Sequence, residues 1–349
     1  MRYLFVMGHP AHVHLFKNVM NLLTESGHQV LAAAVKREVT TDLLRVLDIP
    51  YAVFGNIQPT LLAKAIGMIP KEIALLRLAR QFRPDLLVST GSPYAAHVSA
   101  ILAKPHLAFG DTERAALTAR ITIPFTDAVY TPDCYQGDLG PKHRKYNGYK
   151  ELAYLHPKYF RPDKGSLDAA GLSETEPYLI LRLASWDASH DLGERGFSFE
   201  DGHDALTFVR QLEHLGRVVV TADRAVRPPL DKYTIPLPPE RMHDVLAYAT
   251  AYVGEGATMA AEAGVLGVPW IFVSSAGRGF LADQQSRYGL GYWVQDRQGA
   301  EDALSHLRLA NLHSVWKAKR ERMLSEKEDV VSFITRQIED WPLAARQSA

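Results

Sequence analysis

Two kinds of apolar run alternate along the chain. Residues 3–7 form a short continuous run with aromatic and β-branched members, the pattern of a parallel strand buried on both faces. Residues 12–26 place Val13, Phe16, Val19, Leu22 and Leu23 at helical spacing, and Gly27 stands where a helix needs a left-handed terminator. Residues 29–35 read as the next strand. Strand, turn, helix, strand is a βαβ unit. The rhythm continues with helices over 40–47, 61–82 (interrupted near Pro70) and 94–102, and strands over 51–54, 85–89, 106–109 and 128–131.

Across 151–177 the rhythm stops. Pro157, Pro162, Gly165 and Gly171 fall there among polar residues and predict a linker. A second series follows: strands over 178–183, 217–221, 251–253 and 269–273, with helices near 200–214, 242–248 and 258–265. A charged helix is predicted over 312–341. The expected fold class is α/β with two Rossmann-like domains, 1–163 and 164–325, and a tail, 326–349, packing back on the first. In such folds ligands bind at strand carboxyl ends, here expected in a cleft between the domains.

Composition narrows the function. The 349 residues carry 39 Lys+Arg and 39 Asp+Glu, so no global basic field gathers nucleic acid. The one cysteine, Cys134, allows no internal disulfide and no multi-cysteine zinc site. No apolar run approaches the roughly 20 residues that span a bilayer. The run at 3–7 is followed at once by Gly8-His9-Pro10, which predicts a strand rather than a signal peptide, and hence a cytoplasmic protein. Residues 60–83 mix apolar side chains with Lys64, Lys71, Arg77, Arg80 and Arg83. They could rest on anionic lipid as a peripheral contact, or form a core-packing helix with a solvated basic face.

Four stretches could carry chemistry. In Gly254-Glu255-Gly256-Ala257-Thr258-Met259, a strand ends in glycines and a helix begins, so backbone N–H groups can face a phosphate. Glu262, one turn on, could accept from a sugar diol. Met259 replaces the third glycine of a dinucleotide fingerprint, which argues against a nicotinamide cofactor. In the first βα loop, His12 could take a proton from an acceptor hydroxyl, with His9 and His14 beside it. The same histidines could simply cap a helix, and their spacing fits no common zinc site. Ser92 and Tyr94 follow another strand of this half, as do Asp111 and Glu113, which could hold an acceptor, move protons or merely cap helices. Ser185, Trp186, Ser189 and His190 follow the first strand of the second half and are candidate phosphate or acid/base groups. Gln284 and Gln285 are candidate sugar ligands.

Gly256-Ala257-Thr258-Met259-Ala260-Ala261-Glu262, ending in Leu266-Gly267-Val268-Pro269, resembles the donor signature of GT-B nucleotide-sugar enzymes. The peptidoglycan UDP-GlcNAc transferase and the non-hydrolysing UDP-GlcNAc 2-epimerase share it. The resemblance implies that Glu262 binds the nucleotide ribose, that 256–259 lie along the diphosphate, and that His12 is the general base. Pro10-Ala11-His12-Val13-His14, Gly110-Asp111-Thr112-Glu113, Tyr146 to Leu152, Leu155-His156-Pro157 and Trp186 to Asp191 resemble a group of prokaryotic GT-B-like proteins of unassigned function. Gly91-Ser92 replaces the Gly-Asp acid that the epimerases carry.

The expected fold is therefore GT-B. The expected activity is glycosyl transfer from a nucleotide sugar, a UDP-sugar foremost, to a hydroxyl on a sugar or lipid-linked acceptor in surface-polysaccharide or glycolipid synthesis. Inversion follows from a single base, and no cofactor or metal is expected beyond the nucleotide-sugar donor. Alternatives are an epimerase or hydrolase using Asp111, Glu113 and His190, and a non-catalytic nucleotide-sugar-binding regulator.

Overall fold

A computed structural model describes the chain except residues 57–66, 112, 114–115, 184–195, 223–224, 308–310 and 348–349, with backbone alone at 38, 116 and 342–347. It contains two units, Met1–Tyr154 with Glu328–Ala349, and Leu155–Lys327.

The first unit is a seven-stranded sheet. Its strands are β1 (Arg2–Met7), β2 (Gln29–Lys36), β3 (Tyr51–Asn56), β4 (Leu86–Ser89), β5 (His106–Phe109), β6 (Ala128–Pro132) and β7 (His143–Tyr146). All pair in parallel, in the order β3-β2-β1-β4-β5-β6-β7. Leu4 lies opposite both Leu31 and Leu87. One face of the sheet buries Leu4, Val6, Ala33 and Leu87 with Leu75 and Ala79 of helix Met68–Phe82. On helix Pro10–Glu25, Val13, Phe16, Val19, Met20 and Leu23 are buried, and the Phe16 ring meets Phe5 edge-on at 5.2 Å. Gly27 ends that helix at φ +82°, a conformation that costs glycine little.

Helix Val330–Gln347 closes the unit by packing on helix Pro10–Glu25. Tyr130 donates to Gln337 Oε1 at 2.9 Å, and Phe333 stacks on Tyr146 at 5.1 Å. The predicted single helix over 312–341 is in fact two, Leu312–Glu326 and Val330–Gln347. Lys327 is extended, and Asp329 accepts from the Ser332 N–H and hydroxyl at 3.1 and 2.9 Å, which starts the second helix.

The second unit holds β8 (Tyr178–Leu183), β9 (Arg217–Ala222), β10 (Ala251–Gly254), β11 (Trp270–Val273) and β12 (Gly291–Val294). They pair in parallel in the order β12-β11-β10-β8-β9. Within the stretch read as a linker, 151–177, side chains are packed. Leu167 and Leu172 are buried, and the buried Asp244 carboxylate accepts from Asp163 N–H at 3.0 Å and Ser166 Oγ at 2.9 Å. No described helix is long and apolar enough to cross a membrane.

Gly264 shows how tight this packing is. A Cβ there would overlap Gln284 Oε1 and Trp270 Nε1, which hydrogen-bond each other at 3.0 Å. Gly264→Ala is expected to lower stability by about 1–3 kcal/mol, read as a lower urea midpoint at unchanged slope.

Candidate functional site

In the first unit the strand order reverses direction between β1 and β4, the point where an open α/β sheet leaves a crevice at its carboxyl ends. Residues 8–10 follow β1 and residues 90–92 follow β4. Pro10 opens the first helix, where its missing N–H costs nothing, and His9 Nδ1 accepts from Ala11 N–H at 3.2 Å. This sets His12 in the first turn. Thr90 Oγ1 lies 2.9 Å from His12 Nε2 and 3.2 Å from Nδ1, and Gly8 N–H donates to Nδ1 at 3.2 Å. Because Gly8 N–H occupies the Nδ1 lone pair, the neutral ring carries its proton on Nε2 and directs it at Thr90 Oγ1. Burial, with the charges of His9 and Lys150 adding to it, pushes the His12 pKa down to about 3. The imidazole is therefore neutral throughout the physiological range.

The 90–92 loop is held from beneath. Ser89 Oγ accepts from Gly91 and Ser92 N–H at 3.1 and 2.9 Å, so its own proton goes to His106 Nε2 at 2.9 Å. His106 Nδ1–H then donates to Thr126 Oγ1 at 3.0 Å, and Thr126 donates to the Thr122 carbonyl at 2.9 Å. Every member has one assignable role. Burial pushes His106 down to about 3, so this ring too is neutral.

Asp111, just beyond β5, is ion-paired with Lys150, whose ammonium is also 3.8 Å from the buried Glu151. Glu113 Oε1 accepts from Gln136 N–H at 3.3 Å. A cavity of about 280 Å³ lies beside them, with Thr90, Asp111 and Glu113 among its walls. Of the expected acceptor-side residues, Ser92 caps its helix through Ala95 N–H at 3.4 Å, and His9 is likewise engaged as a cap. His14 lies against the Tyr154 ring at 5.3 Å, and Tyr94 packs edge-on against Phe54 at 5.8 Å. The structure thus gathers His12 with Thr90, and Asp111 with Lys150. Lys71, one of the cations of the 60–83 stretch, is buried with its ammonium 5.8 Å over Tyr94.

In the second unit β10 ends at Gly254, where a Cβ would strike the Arg182 backbone. Glu255 N–H donates to the Arg182 carbonyl at 3.0 Å, and the Glu255 carboxylate accepts from Phe197 N–H at 2.9 Å. The Tyr252 hydroxyl donates to Gly256 O at 2.8 Å and accepts its N–H at 3.1 Å, which fixes the turn. Helix Ala257–Leu266 starts without a side-chain cap. The N–H groups of Ala257, Thr258 and Met259 therefore suit an anion. Glu262 is 6% exposed and accepts from His243 Nε2 at 3.1 Å.

Gln284 is a correction. It is fully buried, accepts from Trp270 Nε1 and donates to Ala261 O at 3.2 Å, so its amide serves the packing of the helix and holds no sugar. Gln285 Oε1 accepts from Trp293 N–H at 2.6 Å. Ser185, Trp186, Ser189 and His190 lie outside the described residues. Among the described residues no group of three or more His, Cys, Asp or Glu is placed to hold a metal ion. Thr90, His106 and His243 were not among the sequence candidates. Each acts through a partner at least 17 residues away, as His106 does through Ser89, and local spacing carries no trace of that.

These two Rossmann-like units have the GT-B fold. The chain belongs to the family described as "Protein of unknown function (DUF354)", matched over residues 6–285. No curated protein matches it. Solved structures do. The glycosyltransferase SsfS6 of Streptomyces sp. SF2575, complexed with thymidine diphosphate, is 15% identical over 97% of this chain and 99% of its own, with TM-score 0.63. The spinosyn rhamnosyltransferase SpnG, complexed with spinosyn aglycone, is 15% identical over 97% and 100%, with TM-score 0.62. MnaA of S. aureus, solved with UDP, is 10% identical over 97% and 96%, with TM-score 0.71.

Two titrations test the site. A histidine whose folded pKa is depressed binds protons more readily when unfolded, so stability is full above about pH 6.5 and falls on acidification towards pH 3. The loss is expected at about 1 kcal/mol per pH unit for the buried His106 ring, measured as a falling urea midpoint between pH 7 and 5. In Lys150→Met, loss of a charge that disfavours imidazolium is expected to raise the His12 pKa, read from its ring signals by NMR.

Proposed function

We propose that the protein transfers a glycosyl group from a nucleotide-activated sugar to a hydroxyl acceptor, with inversion. The observation that carries the reading is the placement of His12, held by Gly8 and Thr90 at the carboxyl ends of β1 and β4. In this reading the acceptor hydroxyl replaces Gly8 N–H at Nδ1 and gives its proton to that nitrogen while its oxygen attacks the anomeric carbon and the bond to the diphosphate breaks. One base and no enzyme nucleophile make a single displacement, which inverts the anomeric centre.

Donor binding belongs to the second unit in this reading. The uncapped helix start at 257–259 meets the diphosphate with N–H groups and the positive helix end. Glu262, oriented by His243, accepts from the ribose hydroxyls. Structures of the same fold solved with thymidine diphosphate and with UDP support a nucleoside diphosphate as the ligand, and a UDP-sugar is the donor we favour. Asp111, tied to Lys150, is poorly placed as the free acid that an epimerase or hydrolase would need.

The test uses a panel of UDP- and dTDP-sugars with NMR detection in D2O. His12→Ala is expected to bind UDP as the unaltered protein does and to lose turnover by about 10²-fold or more. Glu262→Ala is expected to weaken UDP binding by about tenfold or more. Deuterium entering the sugar at C2, or turnover that survives His12→Ala, would sink the proposal.

A further inference from the structure

The cavity of about 280 Å³ lies where β4, β5 and β6 approach helix Ala116–Thr122. Its charged lining is of one sign. Asp111, Glu113 and Asp138 stand in its walls, and no lysine, arginine or histidine does among the described residues. Asp111 is matched by Lys150. Asp138 sits at the rim, its side chain 88% exposed, where water screens it. Glu113 is different. Its Oε1 accepts from Gln136 N–H at 3.3 Å, and no cation pairs with the carboxylate among the described residues. Tyr135 stands in the same wall and is 8% exposed. Its backbone is satisfied, the N–H by Pro132 O at 3.0 Å and the carbonyl by Lys145 Nζ at 2.7 Å. Its hydroxyl has no hydrogen-bond partner among the described residues and is not sealed off. Burial, and after it the charges of Glu113 and Asp111, push the Tyr135 pKa up. The hydroxyl therefore keeps its proton and stands as a donor in a negative field.

A carboxylate without a cation and a hydroxyl without a partner, side by side at a cavity, call for a ligand with a positive donor next to an acceptor. A metal ion does not fit that demand, since among the described residues no three His, Cys, Asp or Glu are placed to hold one. An organic ammonium does. We propose that the cavity receives an amino sugar, its protonated amine held by Glu113 and a neighbouring hydroxyl oxygen by Tyr135, and that this sugar is the acceptor. The rest of the wall suits a pyranose. Thr118 and Gln136 offer polar atoms to its hydroxyl edge, and Ala108 and Val129 offer hydrocarbon to its C–H face. The size suits one ring, since a cavity of about 150 Å³ already holds benzene. Thr90 belongs both to the cavity wall and to the His12 hydrogen bond, so a ring seated here has one edge beside the proposed base. The assignment of this sugar as the acceptor rests on the transferase reading.

Binding is measured without donor, by calorimetry and ligand-detected NMR, for methyl α-D-glucopyranosides in which an amine replaces one ring hydroxyl in turn. The references are the parent glucoside and the N-acetyl form of each amine. The unaltered protein is expected to bind at least one amine about tenfold more tightly than the parent, the worth of a charged hydrogen bond, and its N-acetyl form no better than the parent. Glu113→Gln keeps the shape and an oxygen for Gln136 N–H but removes the charge, so it erases the preference. Tyr135→Phe removes only the hydroxyl and is expected to weaken the preferred amine by about fivefold. The urea midpoint checks that both variants fold. Equal binding of amine, N-acetyl and parent forms, no binding of any amine, or a preference that survives Glu113→Gln would each overturn the proposal. Transfer to a neutral sugar that depends on His12, with no preference for an amine, would overturn it and leave the transferase reading standing. Amine-selective binding lost in Glu113→Gln, with turnover indifferent to His12→Ala, would sink the transferase reading and leave the amine site intact.

Discussion

The hydrogen-bonded chain from Ser89 through His106 and Thr126 to the Thr122 carbonyl is the constraint on which the first unit's chemistry depends. Its direction is forced. Two loop N–H groups occupy the Ser89 oxygen, so the serine proton must go to His106, and the imidazole must pass its other proton to Thr126. One end shapes the 90–92 loop and so sets Thr90 against His12. The other end fixes the last turn of helix Ala116–Thr122, and with it one wall of the cavity. A protonated His106 would have two donors and no acceptor for Ser89. Keeping that ring neutral is thus a condition for the geometry.

Carboxylates of the two units are held locally. Lys150 meets Asp111 and Glu151, and Glu262 accepts from His243. Pairs of this kind contribute little net stability, because desolvation offsets attraction. Their use is orientation: a carboxylate with one oxygen held can present the other at a fixed angle. In a chain of zero formal net charge, such local arrangements and not a global field would recognise an anionic ligand.

The legible part of the fold was periodic. The spacing of Val13, Phe16 and Val19 predicts the first helix, and Gly27 and Gly267 stop helices in the left-handed conformation expected of them. The helix start at Ala257 follows from the glycines before it. What was hidden depends on distance in sequence. Ser89 and His106 lie on different strands, and His243 reaches Glu262 from a neighbouring helix, so no local pattern marks them. Gln284 looked like a surface ligand because its own helix is polar, whereas Trp270 and Ala261 bury it. The break at 327–329 was hidden for another reason. Charged residues suit a helix by composition, and only the Asp329 cap reveals a second start. Strands β7 and β12 lack the fully buried apolar run by which the other four-residue strands are read, β7 being His-Arg-Lys-Tyr and half exposed.

Helix Val330–Gln347 completes the first unit although the whole second unit precedes it in sequence. A ribosome therefore releases β1 through β7 long before the surface that covers helix Pro10–Glu25 exists. Residues 155–327 form a contiguous unit, and until they have been made helix Pro10–Glu25 lacks its cover and Tyr130 and Tyr146 lack Gln337 and Phe333. Such a delay exposes aggregation-prone surface during synthesis. It also makes closure of the first unit a long-range event, the slow kind of contact in folding. Helix Val330–Gln347 thus joins the first unit across a sequence gap as long as the whole second unit.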